Sequence, residues 1–60
     1  PKLIFTVEDT VRLQNGQKIA LDHSLEQQFY RLYSDDGAFL GLGERHLNHV
    51  IKPVRLIQIK

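Results

Sequence analysis

The chain contains no cysteine, no methionine and no tryptophan, and its apolar residues form only short runs. Without cysteine it can build neither a disulfide framework nor a cysteine-based zinc ribbon, the usual supports of small secreted domains. This absence favours a reducing, cytoplasmic location. Apolar runs as short as Leu3-Ile4-Phe5 and Leu56-Ile57 predict neither a membrane-spanning helix nor a signal peptide, so we expect a soluble protein with no membrane partner.

The chain is also short, and its 60 residues suffice for one domain. A folded chain of this length buries only about 60% of the surface that its unfolded form exposes, so we expect a marginal core. Because the chain begins at Pro1 and has no methionine, we expect it to be a piece of a longer polypeptide. Residues 1–60 are then a single domain, and a neighbouring domain covers part of its surface.

Neither sign of charge is in large excess. Eight Lys and Arg residues against seven Asp and Glu residues give a formal net charge of +1, which does not by itself indicate a nucleic-acid partner. The distribution says more, because the basic residues from position 45 onward are accompanied by no acidic residue: Arg45, Lys52, Arg55 and Lys60. The C-terminal third is therefore the basic part of the chain.

One short helix is predicted near the N-terminus. Thr6 and Asp9 have the spacing of a weak capping box, and acidic side chains suit the positive end of a helix. Asn15-Gly16 ends it, because glycine adopts the left-handed conformation after a helix without steric cost. The helix is therefore about two turns long.

The apolar face of this helix is predicted from Val7 and Val11, which are four residues apart, with Leu13 near them. The segments 3–5 and 18–21 read as short extended strands on either side of the helix. The polar stretch from residue 22 to residue 27 is too short for more than a loop.

A β-hairpin is predicted around Asp35-Asp36-Gly37. The segments Phe29–Ser34 and Ala38–Glu44 flank this connection, and Gly37 stands where a type I turn followed by a bulge requires positive φ. Simple pairing with Ser34 opposite Ala38 then sets the whole register: Tyr33 with Phe39, Leu32 with Leu40, Arg31 with Gly41, Tyr30 with Leu42, and Phe29 with Gly43.

This register has two consequences. Both glycines lie opposite large side chains, whose bodies can cover the bare backbone and let the sheet curl. On the other face the register gathers an apolar patch that we expect in the core: Tyr30, Leu32, Leu40 and Leu42.

The glycines of the stretch "DDGAFLGLGE" also invite comparison with a nucleotide-binding loop. Their order is G-x-x-x-G-x-G, whereas a dinucleotide fingerprint needs G-x-G-x-x-G between a strand and a helix. The following residues show little apolar helical repeat. The stretch is therefore predicted to be a curved strand.

The last segment, Val50–Lys60, is rich in β-branched residues and follows a turn near Leu47-Asn48-His49. Pro53 cannot donate a ladder hydrogen bond, so we expect it at an edge or a bend. The chain as a whole is then mainly β, with four to six short strands and one short helix near the N-terminus, in a compact barrel-like domain.

The order of these motifs resembles a known family. A helix ending in "LQNGQKI", then "FYRLYSDDGAFLGLGE", then "VIKPVRLIQIK" is similar to the C-terminal PUA-type domain of bacterial tRNA pseudouridine synthase B, over residues 7–60. The resemblance implies a PUA-like pseudo-barrel that binds tRNA, so that the T-arm uridine reaches an active site in a separate catalytic domain of the same polypeptide. The resemblance implies that the catalytic aspartate lies in the upstream domain, so we expect no catalytic residue in this chain. We also expect no metal and no cofactor, and a monomeric protein.

In PUA domains the RNA face lies around the helix and the following strand, and RNA binding needs cations and amides. The candidate RNA-binding residues are Arg12, Asn15, Gly16, Gln17, Lys18, Arg31, Lys52 and Arg55. The alternative for each is an ordinary solvated charge, or a glycine helix cap at Gly16. The stem of Arg31 has a further structural alternative, which is packing across Gly41.

Other sites have weaker support. His46 and His49 have the H-x-x-H spacing of metal ligands, and His23 could be a third ligand. The set of ligands for a metal is nevertheless incomplete. Ser24 lacks the context of a catalytic nucleophile. The aromatic residues at positions 29, 30, 33 and 39 could form a base-stacking platform, but a chain with five aromatics is expected to need them for its core.

Two other functions stay open. The chain could be a small SH3-like β-barrel that binds proteins, or a domain that mainly supports its catalytic neighbour. The salt dependence of binding distinguishes a protein-binding barrel from an RNA-binding domain. Phosphate contacts weaken steeply as salt rises, and apolar peptide contacts do not.

Overall fold

The computed structural model describes residues 1–57, which form one five-stranded sheet and one helix. In chain order the elements are β1 (Lys2–Phe5), α1 (Val7–Gln14), β2 (Ile19–Ala20), β3 (Phe29–Ser34), β4 (Phe39–Leu47) and β5 (Val50–Leu56). The mainly β class with one short helix near the N-terminus is confirmed. The predicted last strand extended to Lys60, and its final three residues lie outside the described residues.

The strands are ordered β1-β3-β4-β5-β2. β1 pairs in parallel with β3, and every other pairing is antiparallel. α1 contacts β1, β2 and β5, so the helix lies between the two edge strands. The sheet is a curled half-barrel.

The ends of α1 follow the predicted caps. The Thr6 side chain accepts a hydrogen bond from the Asp9 backbone N–H at 3.2 Å. Asn15 is the C-cap, and Gly16 follows with φ +82°. These caps satisfy backbone groups that a two-turn helix would otherwise leave to water.

The predicted apolar face of α1 is wrong. Val7 and Val11 are 67% and 50% exposed, whereas Leu13 is fully buried. Successive residues of an α-helix are about 100° apart, so Leu13 lies roughly 200° around the axis from Val11. A short helix cannot bury both sides against one sheet, and this one buries Leu13.

The core is a single cluster of apolar side chains on the concave side of the sheet: Phe5, Leu13, Ile19, Leu25, Tyr30, Leu32, Leu40 and Ile51. Among residues 1–57 no polar or charged residue is buried with them, apart from the hydroxyl of Tyr30. That hydroxyl accepts hydrogen bonds from the backbone N–H groups of Glu26 and Gln27, at 3.0 and 2.9 Å. The predicted loop is therefore tied to the core through Leu25 and Tyr30.

The predicted hairpin forms, but its register is correct only next to the turn. The Ser34 N–H donates to the Ala38 carbonyl at 2.9 Å, and Tyr33 lies opposite Phe39. Leu40 is then an extra residue on β4, so every later pair moves by one: Leu32 with Gly41, Arg31 with Leu42, Tyr30 with Gly43, and Phe29 with Glu44.

This bulge changes the predicted faces, because a shift of one residue turns each later side chain to the opposite side of a strand. Three members of the predicted apolar patch are buried, but Leu42 is turned outward and is 42% exposed. The glycines do not lie under Phe29 and Arg31 as predicted. They point toward the core side, and Arg31 lies opposite Leu42 rather than across Gly41.

Both glycines of β4 stand where the interior has no room for a side chain. Gly41 has φ +141°, and a Cβ there would lie 2.1 Å from the Arg55 carbonyl oxygen. A Cβ on Gly43 would lie 2.9 Å from Ile51 Cγ1 and 3.0 Å from Leu32 Cδ2. The glycine-rich stretch is a strand, as predicted, and close approach of its neighbours is what requires glycine.

Pro53 lies at an irregularity, as expected. It is opposite Gly43, and the next pair is Arg55 with Leu42, so Val54 is an extra residue on β5. β2 pairs only with Val50 and Ile51, so at Pro53 the edge of β5 that faces away from β4 has no neighbouring strand among residues 1–57. The missing N–H of proline therefore removes no ladder hydrogen bond to β2.

Candidate nucleic-acid interface

The convex side of the sheet, which we call the outer face, carries a row of exposed side chains that crosses four strands. The pairings Lys2 with Arg31, Arg31 with Leu42, and Leu42 with Arg55 put these four residues side by side. All four are exposed. We call Lys2, Arg31 and Arg55, together with Leu42 between them, the cationic row.

Aromatic rings lie on both sides of the cationic row. On the turn side, the rings of Tyr33 and Phe39 have centroids 5.3 Å apart and planes tilted by 57°. The Lys2 ammonium lies 5.7 Å from the Tyr33 ring centroid. On the other side Phe29 is 58% exposed, next to Glu44 in the pairing of β3 with β4.

The expectation that the aromatics serve the core is therefore wrong for most of the hairpin. Tyr30 is buried, Tyr33 is half-buried, and Phe29 and Phe39 are exposed. The reason is the alternation along β3, where Tyr30 and Leu32 point inward and their neighbours point outward.

The outer face has an excess of positive charge. Within residues 1–57 it carries four cations, Lys2, Arg31, Lys52 and Arg55, and one carboxylate, Glu44. The Glu44 carboxylate accepts a hydrogen bond from Gln28 Nε2 at 2.9 Å. Among the described side chains, the ion pairs involve none of these four cations. Within residues 1–57 no carboxylate forms an ion pair with these charges, which face solvent.

Three of the predicted RNA-binding residues, Arg31, Lys52 and Arg55, belong to this face. Arg31 and Arg55 are in the cationic row. Lys52 is in the next row, opposite Glu44. The structure thus brings together side chains that are more than twenty positions apart in sequence.

The other predicted residues form a second group at the C-terminal end of α1. The group consists of Arg12, Asn15, Gly16, Gln17 and Lys18, and all are exposed. Because α1 packs on the core side of the sheet, this helix-end group lies away from the outer face. The eight predicted residues therefore form two surfaces rather than one.

Backbone amides of the helix-end group are already used by the helix. The N–H groups of Asn15, Gly16 and Gln17 donate to carbonyls of Val11, Leu13 and Arg12, at 3.0, 2.9 and 3.0 Å. They are thus not free donors for a phosphate. Arg12 contacts Asp9 at 3.5 Å. What this group offers a ligand is side chains, chiefly the ammonium of Lys18 and the amides of Asn15 and Gln17.

Arg45, in the basic part of the chain, has a structural role. Its guanidinium donates to the Leu25 carbonyl at 3.1 Å and to Gln28 Oε1 at 3.4 Å. It thereby holds the loop that closes one end of the core. An open depression of about 450 Å³ lies beside it, lined by Gln28, Arg45 and the β4–β5 turn with His46 and His49.

The histidines do not assemble a metal centre in the described part of the chain. No three His, Cys, Asp or Glu side chains there are placed to share an ion. His23 instead lies 3.0 Å from Asp22, and this hydrogen bond lowers the pKa of the Asp22 carboxyl. Residues 1–57 also contain no helix with the length and apolar character required to cross a membrane.

Two residues of the outer face were not among the predicted RNA-binding residues. Phe29 was considered for base stacking but assigned to the core, although the alternation of the segment "FYRLYS" puts it on the same side as Arg31. Lys2 could not be found, because it joins the cationic row only through the parallel pairing of β1 with β3. No local pattern in the sequence specifies that pairing.

Comparisons with known proteins agree with the resemblance. The family model described as "Pseudouridine synthase II TruB, C-terminal" matches residues 1–57. A curated protein of Nitrosomonas europaea, named tRNA pseudouridine synthase B, is 38% identical over 64 aligned positions, which cover 98% of this chain. The chain spans about one fifth, 20%, of that protein. No solved structure gives a significant match.

Proposed function

Since the chain belongs to the family of C-terminal domains of pseudouridine synthase II TruB, we propose that it is a non-catalytic, tRNA-binding accessory domain of a tRNA pseudouridine synthase. It helps to position the T-arm uridine for isomerisation in a separate catalytic domain of the same polypeptide. The family match over residues 1–57 is the observation that carries this proposal. A cytoplasmic, monomeric protein is part of the same proposal.

The charges of the structure support an RNA partner. Arg31, Lys52 and Arg55 are exposed on the outer face and have no carboxylate partner among the described side chains. RNA phosphates are bound through such cations. Each exposed cation contributes little by itself, on the order of 0.2–1 kcal/mol, so several must act together.

Both surfaces identified above are candidates for the tRNA contact. The outer face offers Arg31, Lys52 and Arg55, and the helix-end group offers the side chains of Arg12, Asn15, Gln17 and Lys18 around Gly16. Because the two surfaces lie on different sides of the domain, mutations can test each of them separately.

A matched pair of double variants of the full-length enzyme tests the proposal. Arg12→Glu with Lys18→Glu reverses two charges of the helix-end group, and Arg31→Glu with Arg55→Glu reverses two charges of the cationic row. The change in net charge is identical, so a general loss of attraction would affect both variants equally. Filter binding of tRNA at two salt concentrations is the measurement.

We expect at least one double variant to lose tRNA affinity by about tenfold or more at low salt, and to lose less at high salt. The surface whose variant loses more is the contact surface. Unchanged affinity in both variants would instead mean that the domain only supports its catalytic neighbour. Circular dichroism checks that both variants are folded.

A protein-binding role is the second candidate, and one observation favours it. An apolar groove of about 310 Å³ lies between α1 and the β3–β4 turn, and the exposed Val7 and Val11 line it. Partner binding in such a groove would change little between the two salt concentrations, whereas RNA binding would weaken steeply. Val11→Asp would abolish binding of a protein partner and leave tRNA affinity unchanged.

A further inference from the structure

Aromatic side chains are exposed on the outer face of a chain that has few of them. The sequence contains five aromatic residues, three Phe and two Tyr. Phe29 is 58% exposed, and Phe39, at 36%, packs against Tyr33 on the surface. A small domain with a marginal core gains most stability from aromatic side chains when they are buried. Aromatic side chains outside the core therefore indicate a binding role.

These rings lie beside the cationic row rather than at random on the surface. Same-face neighbours along a strand are about 7 Å apart, and adjacent strands are about 4.8 Å apart. Phe29 and Tyr33 are thus each roughly 7 Å from Arg31 along β3. The cationic row itself, from β1 to β5, spans about 14 Å. Flat apolar rings therefore lie beside cations that form no ion pair within residues 1–57, over one continuous surface.

A partner of this surface must combine negative charge with flat, exposed rings. Unpaired nucleotides do so, since each has a phosphate and a base whose two faces are free to stack. In a duplex the base faces are hidden, and an exposed aromatic side chain has nothing to stack on. An acidic protein surface would match the cations but not the rings.

We propose that the outer face binds unpaired nucleotides of RNA, with phosphates on Arg31 and Arg55 and a base stacked on Phe29. This inference rests on the proposed function for its choice of RNA over DNA, and it adds which RNA structure is bound and by which residues. Phe39 and Tyr33 supply a second ring surface on the other side of the row. Lys2 extends the row to the edge strand β1.

Substitution at Phe29 separates stacking from other roles of an apolar side chain. Phe29→Leu keeps an apolar group of similar size and removes the ring, whereas Phe29→Tyr keeps the ring. Both should fold, since Phe29 is largely exposed and opposite Glu44. The probes are a fluorescein-labelled single-stranded RNA of about ten nucleotides and the duplex of the same length.

We expect the full-length enzyme to bind the single strand more tightly than the duplex. Phe29→Leu should reduce single-strand affinity by roughly tenfold, Phe29→Tyr should retain it, and neither should change duplex affinity. The slope of log K against log salt should stay the same in both variants, since no phosphate contact is removed.

Equal single-strand affinity of the Leu variant and the parent, or a preference for duplex, would overturn the inference. If Phe29→Ser lowers the melting temperature of the full-length enzyme without changing single-strand affinity, the outer face packs on a neighbouring domain, and the inference is again wrong. Loss of tRNA binding in either charge-reversal double variant would still support the proposed function in both cases. The two proposals therefore fail separately.

Discussion

The two faces of the sheet have opposite chemistry, although they are built from alternate residues of the same strands. Along β3, Tyr30 and Leu32 are buried, whereas Phe29, which precedes Tyr30, and Arg31, which lies between the two, are exposed. The inner face is determined by packing, because its side chains fill a common core. The outer face has no such constraint. Changes on the inner face should therefore alter stability, and changes on the outer face should alter binding.

The largest effect on the inner face is expected at Gly41. Gly41→Ala would bring a Cβ to 2.1 Å from the Arg55 carbonyl oxygen, at a φ of +141° that disfavours any side chain. Because backbone rather than a flexible side chain must move, we expect a loss of about 3 kcal/mol, or roughly 15 °C in Tm. Thermal unfolding followed by circular dichroism measures it.

Gly37→Ala is the control for this prediction. Gly37 also has positive φ, +92°, but a Cβ there meets nothing within 4 Å. It should cost only the backbone strain, about 1 kcal/mol. Equal losses for the two variants would show that the close approach of β4 and β5 does not limit stability.

A smaller loss on the inner face is expected from Tyr30→Phe. The change removes the acceptor of two backbone N–H groups, those of Glu26 and Gln27, while the ring stays in the core. We expect about 1–2 kcal/mol of destabilisation. Tyr33→Phe removes the corresponding hydroxyl on the outer face, so an equal fall in Tm there would contradict the distinction between the faces.

On the outer face, Arg31→Gln should change binding and not stability. Arg31 is exposed and lies in the cationic row, so the free energy of unfolding should change by no more than about 0.5 kcal/mol. Affinity for tRNA at low salt should fall by roughly threefold, with a salt slope smaller by about 0.7–0.9. If Arg31→Gln instead lowered Tm and left the salt slope of tRNA binding unchanged, this face would contribute to stability rather than to binding.

The smallest effect is expected at the hairpin turn, which belongs to neither face. Two hydrogen bonds, from the Ser34 hydroxyl and, with a smaller effect, from the Ala38 N–H, lower the pKa of the Asp36 carboxyl below its usual value of 3.8. Ionised Asp36 therefore stabilises the fold at pH values above 3.8, and this contribution is lost as pH falls through the lowered folded pKa. Asp36→Asn should reduce the acid dependence of Tm, and Asp35→Asn is the control for removing one charge from the same turn.

Features specified by a few neighbouring residues could be predicted from the sequence. The Thr6 cap, the Asn15-Gly16 end of the helix and the positive φ of Gly37 each depend on local conformation. The pairing next to the turn, Tyr33 with Phe39, was also correct. Such features are decided within one turn of chain, where residue preferences dominate.

Features that depend on packing between distant segments could not be predicted. The bulge at Leu40 reverses the sides of β4, and nothing in its own sequence requires it. Leu13 rather than Val11 faces the core because of where the sheet lies. Lys2 joins the candidate surface through a parallel pairing whose partner is almost thirty residues away. The candidate site was therefore predicted in part, through Arg31, Lys52 and Arg55.

The extra residue at Leu40 also constrains how the length of this chain can vary. Inserting or deleting one residue between Phe39 and Glu44 would exchange the two sides of the strand, sending Leu42 inward and a glycine outward. Only changes of two residues would preserve the alternation. Among relatives, we therefore expect single-residue gaps to occur in the connections and to be absent from this strand.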